Sequence, residues 1–130
     1  MAIAASGLHA QAGRMRVISE NIANADSTGS TPGADPYRRK IPTFVSQLDR
    51  TLDAKTVAMG RIAPDTSDFR PKYEPSNPAA DQNGYVKYPN VNPLIEMTDM
   101  RDAQRSYEAN LDVIGATRRM IARTLDILRG

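Results

Sequence analysis

The sequence predicts a mainly α protein. N- and C-terminal helices pair as a coiled coil, with a small irregular or β element between them. Three observations predict this class. All nine prolines of the 130-residue chain lie between Pro32 and Pro93, so both ends lack the residue that breaks long helices. Apolar side chains at both ends recur every seven residues. The middle is poor in apolar residues and carries several turn signals. The resulting division is residues 1–28, a helix; 29–91, a loop plus a small β-containing segment; and 92–130, a second helix.

The first helix is expected over roughly Met1 to Ala25. Leu8, Met15 and Ile22 form one row, with Ala4, Ile18 and Ala25 on the adjacent row and Gln11 interrupting it. Gly7 and Gly13 weaken the helix, each by about 1 kcal/mol relative to Ala. Such a helix needs a partner. The second helix starts at Asn92, a suitable N-cap, followed by Pro93 at the first helical position. Met100, Tyr107, Ile114, Ile121 and Leu128 make its main row. Met97, Leu111 and Leu125 fill the second row, which Gln104 and Arg118 interrupt. Acidic residues lie towards its start and arginines towards its end, as the helix dipole favours.

At about 1.5 Å per residue, the two helices span roughly 37 and 55 Å. Paired antiparallel in one chain, the longer one overhangs. Its uncovered stripe marks a contact with another molecule, unless the middle segment covers it. Arg118 sits where burial would leave a charge unpaired. It either reaches solvent or meets an acidic group on a partner helix.

In the middle, Phe44 to Leu52 suits helix and strand equally. Thr56–Ile62 and Asp68–Glu74 are short strand candidates, Pro71 confining the second to an edge. Asn83–Gly84 has the composition of a tight hairpin turn leading into an alternating run. The stretch from Ser30 to Pro36 is a polar loop before Tyr37 and the cations Arg38, Arg39 and Lys40.

Enzyme chemistry finds no foothold. There is no Cys, hence no thiolate nucleophile or thiolate metal site. The single histidine, His9, lacks partners for a triad or a metal. Gly29 and Gly33 lack the spacing and the lysine of a phosphate loop, and the Asp-Gln-Asn-Gly run lacks the distal acid of a calcium loop. Glu96, Asp99, Asp102, Glu108 and Asp112, interleaved with Arg101 and Arg105, read as a solvated, ion-paired face. No cofactor and no metal are expected. With 17 basic and 15 acidic residues, nucleic-acid binding would rest on Arg38–Lys40 alone. No run approaches a membrane span, and no cleaved signal peptide is expected. Two alternatives to a structural subunit remain: a helical adapter that does not polymerise, and a weakly basic nucleic-acid-binding module.

Three stretches carry a family resemblance. "SENIANADSTG" (Ser19–Gly29) closes the first helix with an Asn-x-Ala-Asn pair, Asn21 and Asn24, leading to Thr-Gly. "EMTDMRDAQRSYEANLDVI" (Glu96–Ile114) has Arg105, Tyr107 and Asn110 at its centre. Both resemble the bacterial flagellar rod and hook proteins, and "YEPSNPAADQNGYVKYPNVN" (Tyr73–Asn92) resembles their proximal-rod members more narrowly. That family would place several more residues before Ala2. The resemblance implies a structural protein of the flagellar basal body. It implies export through the flagellum's own type III apparatus without a cleaved signal, into a hollow rod that crosses the periplasm. It implies terminal helices that line the inner wall. The implied partners are other rod proteins, the rod-adapter and membrane-ring proteins, and further copies of the chain; no nucleic acid and no membrane insertion are implied.

The expected assembly contacts are Leu8, Met15, Ile18 and Ile22 with Asn21 and Asn24 on the first helix. Arg38 and Arg39 follow the loop. Met100, Tyr107, Asn110, Leu111, Ile114, Arg118, Ile121, Leu125 and Leu128 lie on the second helix. Stripes that a monomer cannot bury leave marginal helices unsupported. The purified chain at low concentration is therefore expected to show less helix by circular dichroism than its two helical segments could supply. A fully helical monomer with uniformly rigid NMR relaxation would contradict this.

Overall fold

The computed structural model describes residues 2–50 and 54–130. It contains α1 (Ala2–Ala23), β1 (Lys40–Ile41), β2 (Phe44–Asp49), β3 (Ala54–Met59), β4 (Ala63–Pro64), β5 (Arg70–Tyr73), β6 (Tyr85–Tyr88) and α2 (Pro93–Arg129). The two long helices lie at the ends of the chain, where proline is absent. Asn92 caps α2 as expected, its side chain accepting a hydrogen bond from the Leu94 amide at 3.1 Å. The capping Gly130 amide donates to the Asp126 carbonyl.

The strands form three two-stranded antiparallel pairs, β1 with β4, β2 with β3, and β5 with β6. The first two pairs belong to one long excursion of the chain. Arg39 and Asp65 meet at its base, the Asp65 amide donating to the Arg39 carbonyl at 2.8 Å. Lys40 pairs with Pro64 and Ile41 with Ala63, but further out Phe44 pairs with Met59. Pro42 and Thr43 therefore face three residues, Gly60, Arg61 and Ile62. The ladder breaks there because Pro42 has no N–H to donate. The break also ends β3 at Met59, so the strand expected over Thr56–Ile62 stops short of Gly60. The segment that suited helix or strand is a strand from Phe44 to Asp49; Leu52 lies outside the described residues. β5 matches its expected place, with Pro71 in a ribbon whose strands are both edges.

The Asn83–Gly84 turn needs correction. It does not by itself join the paired strands β5 and β6, which residues 74–84 connect. The Gly84 amide donates to Asp81, and Gly84 has φ +84, which favours glycine. This tight turn closes a longer connection from β5 and aims the chain into β6, whose partner β5 ends at Tyr73.

α1 and α2 pack antiparallel. Asn21 reaches Glu96 near one end of the seam, and Gly7 faces Asn110 near the other. The pairing rows differ from the expected stripe. On α1 the most buried positions are Ala10, Gly13, Val17, Ile18 and Asn21, whereas Leu8, Met15 and Ile22 are half-buried. On α2, Ala103 is fully buried and Met100, Tyr107, Asn110 and Ile114 are half-buried, while Gln104 and Leu111 stay exposed. Two causes explain the rotation. α1 is packed by β3 as well as by α2, so its buried arc has to serve two neighbours. Small residues also let backbones approach closely: the Asn110 side chain fills the place of a Cβ on Gly7, and Met59 fills that on Gly13.

The apolar core is small. It consists of Ala10, Val17, Ile18, Ala25, Ala79, Val86, Val91 and Ala103. None is larger than Ile, in keeping with the low aromatic content.

Gly29 tests the close packing of the loop after α1. A Cβ there would lie 2.5 Å from the Ala34 Cβ, a group fixed to backbone. At Gly13 the obstacle is only the flexible end of Met59. Gly29→Ala is expected to destabilise the chain by about 1–3 kcal/mol in urea unfolding. Gly13→Ala should stay within about 1 kcal/mol of wild type, because the gain in helix propensity offsets the shift of Met59.

Candidate functional site

Two features stand out, a buried polar cluster at the closed end of the helix pair and an uncovered helix at the other. The cluster is built by five segments. α1 contributes Asn21 and Glu20, the strand start Tyr37, Arg39 and Lys40, the far base of the ribbon Asp65, the approach to α2 Asn90, and α2 itself Glu96 and Asp99.

Asn21 is 0% exposed and uses its whole hydrogen-bonding capacity. Its Nδ2 donates to the Lys40 carbonyl at 2.9 Å and to Glu96 Oε2 at 3.4 Å. Its Oδ1 accepts from the Tyr37 hydroxyl at 2.8 Å and from the Lys40 amide at 3.0 Å. An aspartate could accept the second pair of bonds but could not donate the first. Glu96 is also 0% exposed, and Arg39 Nε donates to its Oε1. The same guanidinium reaches Asp65 at 3.1 Å and Asp99 at 3.6 Å. Asn90 fastens the backbone, accepting from the Arg39 amide at 2.7 Å and donating to the Asp65 carbonyl at 3.0 Å.

The electrostatics follow from this packing. Burial, with the nearby Glu20 and Glu96, pushes the Tyr37 hydroxyl up to about 12, so it stays a neutral donor to Asn21. The Ser67 amide and hydroxyl, helped by Arg39, hold the Asp65 carboxyl below its ordinary value. The Glu96 and Asp65 carboxylates raise the Arg39 guanidinium against the opposing effect of burial. Among the described residues, no group of three or more His, Asp or Glu side chains could hold a metal ion.

Several expected site residues fall within this frame. Ile18 and Asn21 are buried in the chain. Asn24 bonds back to the Glu20 carbonyl at 2.9 Å and accepts from Ser27, finishing α1. Arg38 and Arg39 were expected at a contact between subunits. Arg39 turns inward to the cluster, and Arg38 donates to the Asp65 and Ser67 carbonyls while stacking over Phe69 at 4.2 Å. With Lys40 bonded to Glu20 at 2.6 Å, the three cations on which nucleic-acid binding would rest are engaged within the chain. Glu96, read from the sequence as part of a solvated face, is the most deeply buried carboxylate among the described residues. Arg101 and Arg105 make no ion pair among the described residues, and the carboxylates of that face that are paired, Glu96 and Asp99, meet Arg39 instead.

The second feature is the far half of α2. Gly7 faces Asn110, and Ile3 shares a notch with Val113. The described residues of α1 reach no further along α2, which runs on to Arg129. Every residue from Arg118 to Gly130 is exposed. Ile121, Leu125 and Leu128 lie there, Leu128 with 78% of its surface open. Arg118 reaches solvent, and no described charge pairs with it. Among the described residues no helix is long and apolar enough to cross a membrane.

Sequence reasoning missed Tyr37, Asp65, Asn90 and Glu96 as members of one site. Their only local signal was an unusual density of Asn and charged residues beside prolines, which does not reveal that segments 75 residues apart meet.

The chain resembles known proteins along nearly all of its length. A family model described as flagella basal body rod protein matches residues 1–31, and one described as flagellar basal body rod FlgEFG protein C-terminal matches residues 82–127. The chain is 58% identical over 127 residues to the flagellar basal-body rod protein FlgC of Agrobacterium fabrum, spanning 98% of this chain and 91% of that one. It is 39% identical over 140 residues to the protein of that name from Bacillus subtilis, spanning 96% and 93%. With that of Salmonella typhimurium it shares 40% over 127 residues, spanning 96% and 92%.

The cluster predicts a specific cost. Glu96→Ala leaves the partly buried Arg39 without its nearest carboxylate and should destabilise by about 3 kcal/mol in urea unfolding. Asn21→Asp, nearly isosteric, removes two donated bonds and sets a second carboxylate beside Glu96, with an expected loss of about 2–3 kcal/mol. The paired change Arg39→Met with Glu96→Leu should cost less than the sum of its two single changes. Additive costs would show that the pair acts independently.

Proposed function

This chain belongs to the FlgC family of flagellar basal-body rod proteins, and from that premise we propose that it builds the rod through its terminal helices. It is a structural subunit, and its chemistry is that of packing rather than catalysis. The observation that carries the role of the helices is the uncovered half of α2. A helix with Ile121, Leu125 and Leu128 open to water is stable in an assembly and costly in a monomer.

The mechanism follows from the two ends of the helix pair. The polar cluster fixes α1, the ribbon base and the start of α2 into one unit. The free half of α2 supplies the apolar surface, and docking buries it together with the half-buried Leu8, Met15 and Ile22. Binding free energy then includes the ordering of helices that a single chain supports poorly. The relatives' printed names support a place in the basal body. The finer reading puts the chain in the proximal rod, across the periplasm, after export through the flagellar type III apparatus. Its neighbours are other rod proteins, the rod-adapter protein and the membrane ring, and its helices border a central channel. The polar loop from Ser30 to Pro36 lies on the outer side, where Lys87 and Asp35 approach to 3.3 Å at the surface.

The test separates folding from assembly. Leu125→Asp with Leu128→Asp lies far along α2 from the Glu96 cluster. Urea unfolding of the purified variant should match wild type. In a flagellated bacterium lacking its own copy, the variant should fail to appear in purified basal bodies. Normal incorporation of the variant would exclude the end of α2 from the assembly contact.

A further inference from the structure

The tight turn at Asn83–Gly84 carries a chemistry that the rod reading leaves unused. An asparagine side chain can be attacked by the backbone nitrogen of the residue that follows it. The attack is fastest where that residue is glycine, because no Cβ crowds the nitrogen. The chain has one such pair. Its other asparagines precede Ile, Ala, Pro, Val or Leu, whose side chains hinder the approach or, with proline, leave no N–H.

The two reacting groups lie in different surroundings. Asn83 is exposed and Gly84 is buried. The Tyr73 ring lies over Gly84. Its Cε2 is 2.8 Å from the place of a Cβ there, and the Pro75 Cβ is 3.3 Å from it. Tyr73 is in turn met edge-on by Tyr85, with ring centroids 5.4 Å apart. Both backbone groups of Gly84 are engaged. Its amide donates to the Asp81 carbonyl at 3.1 Å, and its carbonyl accepts from the Glu74 amide at 3.0 Å. Asp81 Oδ1 also accepts from the Asn83 amide at 2.9 Å and from the Tyr85 amide at 3.0 Å. Tyr85 opens β6, and Val86 next to it is 0% exposed.

We propose that Asn83 is a site of spontaneous deamidation that folding closes, so that the modification marks chains that have stayed unfolded. The reaction needs only water. The Gly84 nitrogen loses its proton to hydroxide and forms a bond to the Asn83 Cγ. Nδ2 takes a proton back from water and leaves as ammonia. The five-membered imide that results adds water at one of its two carbonyls. Opening at Cγ gives aspartate. Opening at the backbone carbonyl gives isoaspartate, with Cβ drawn into the main chain. In the folded chain the first step is opposed twice. The proton that must leave is bonded to Asp81, and the Tyr73 ring keeps the base away. In the unfolded chain neither guard exists. The isoaspartate product is one methylene longer between residues 83 and 84. Its turn no longer brings the amides of residues 84 and 85 to Asp81, so β6 is misaimed and Val86 loses its place. This inference stands apart from the rod reading.

The test incubates the purified full-length chain at mildly alkaline pH, once in buffer and once in guanidinium chloride. Mass spectrometry reads deamidation, and a protein-isoaspartyl methyltransferase assay reads isoaspartate. Conversion at Asn83 should be at least about tenfold slower in buffer, since it waits on a local opening of the turn. Hydrogen exchange should show a protected Gly84 amide. Asp81→Ala removes the side-chain acceptor of two turn amides. It should speed conversion severalfold in buffer and leave the rate in denaturant unchanged. Asn83→Gln, which closes a larger ring, should abolish the signal in both. Converted chains returned to buffer should differ by product. The isoaspartate form should unfold at a lower urea concentration than wild type. Asn83→Asp, which carries the new charge without the extra methylene, should stay near wild type. Equal rates in buffer and denaturant, an unprotected Gly84 amide, or an unaltered rate in Asp81→Ala overturn the guard. Conversion of a different asparagine overturns the site, and an isoaspartate form as stable as wild type overturns the mark.

Discussion

The structure depends on the burial of Glu96. A carboxylate with no exposed surface is tolerable only if its charge is balanced and its oxygens are bonded. Arg39 balances the charge and Asn21 donates to the second oxygen. Those two demands fix everything nearby. Arg39 must enter from the strand base, so β1 is placed. Asn21 must sit at the end of α1, so the helix pair is in register. Asp65 and Asn90 then hold the other side of Arg39, which closes the ribbon and sets the approach to α2. A cluster of this kind contributes less to net stability than its many bonds suggest. Its larger effect is to make alternative helix registers costly, since each would leave a charge unpaired.

Away from the cluster the helix pair is weakly held. The seam is lined by Gly7, Ala10 and Ala103, residues that allow close approach but bury little area. The larger apolar side chains lie half-buried on α1 or open on α2. The chain therefore has one end made rigid by polar complementarity and another whose apolar surface is left for partners. That division suits a building block: its internal geometry is set before assembly, and its adhesive surface remains available.

Much of the fold was legible in the sequence. Proline placement located both helices, and Asn92–Pro93 marked the start of α2 to the residue. The row through Met100, Tyr107 and Ile114 is half-buried. The second row was misjudged. Leu111 has the larger apolar side chain, yet Ala103 and Asn110 lie at the seam, because α1 brings Gly7 and Ala10 to it and small residues meet small residues. The site was far less legible. Asn21 and Asn24 stood out through family resemblance, but their roles differ: Asn24 ends a helix and Asn21 anchors the fold. Glu96 looked like one more carboxylate on a charged helix. Only long-range packing distinguishes it from Asp102 or Glu108, and no local pattern encodes that.

The Asn21 to Glu96 bond spans 75 residues of chain, which orders events in time. Any process that delivers the polypeptide from its N-terminus, whether synthesis or passage through a narrow conduit, releases Asn21 early and Glu96 late. Until Glu96 emerges, Arg39 and Asn21 have no buried acid to meet, and α1 has no α2 to lie on. The emerging segment is thus left without its stabilising partner for roughly the first three-quarters of delivery. Closing so long a loop adds little entropic cost over a shorter one, but it cannot begin early. Commitment to the folded state coincides with the arrival of α2, the same element whose far half then meets its neighbours.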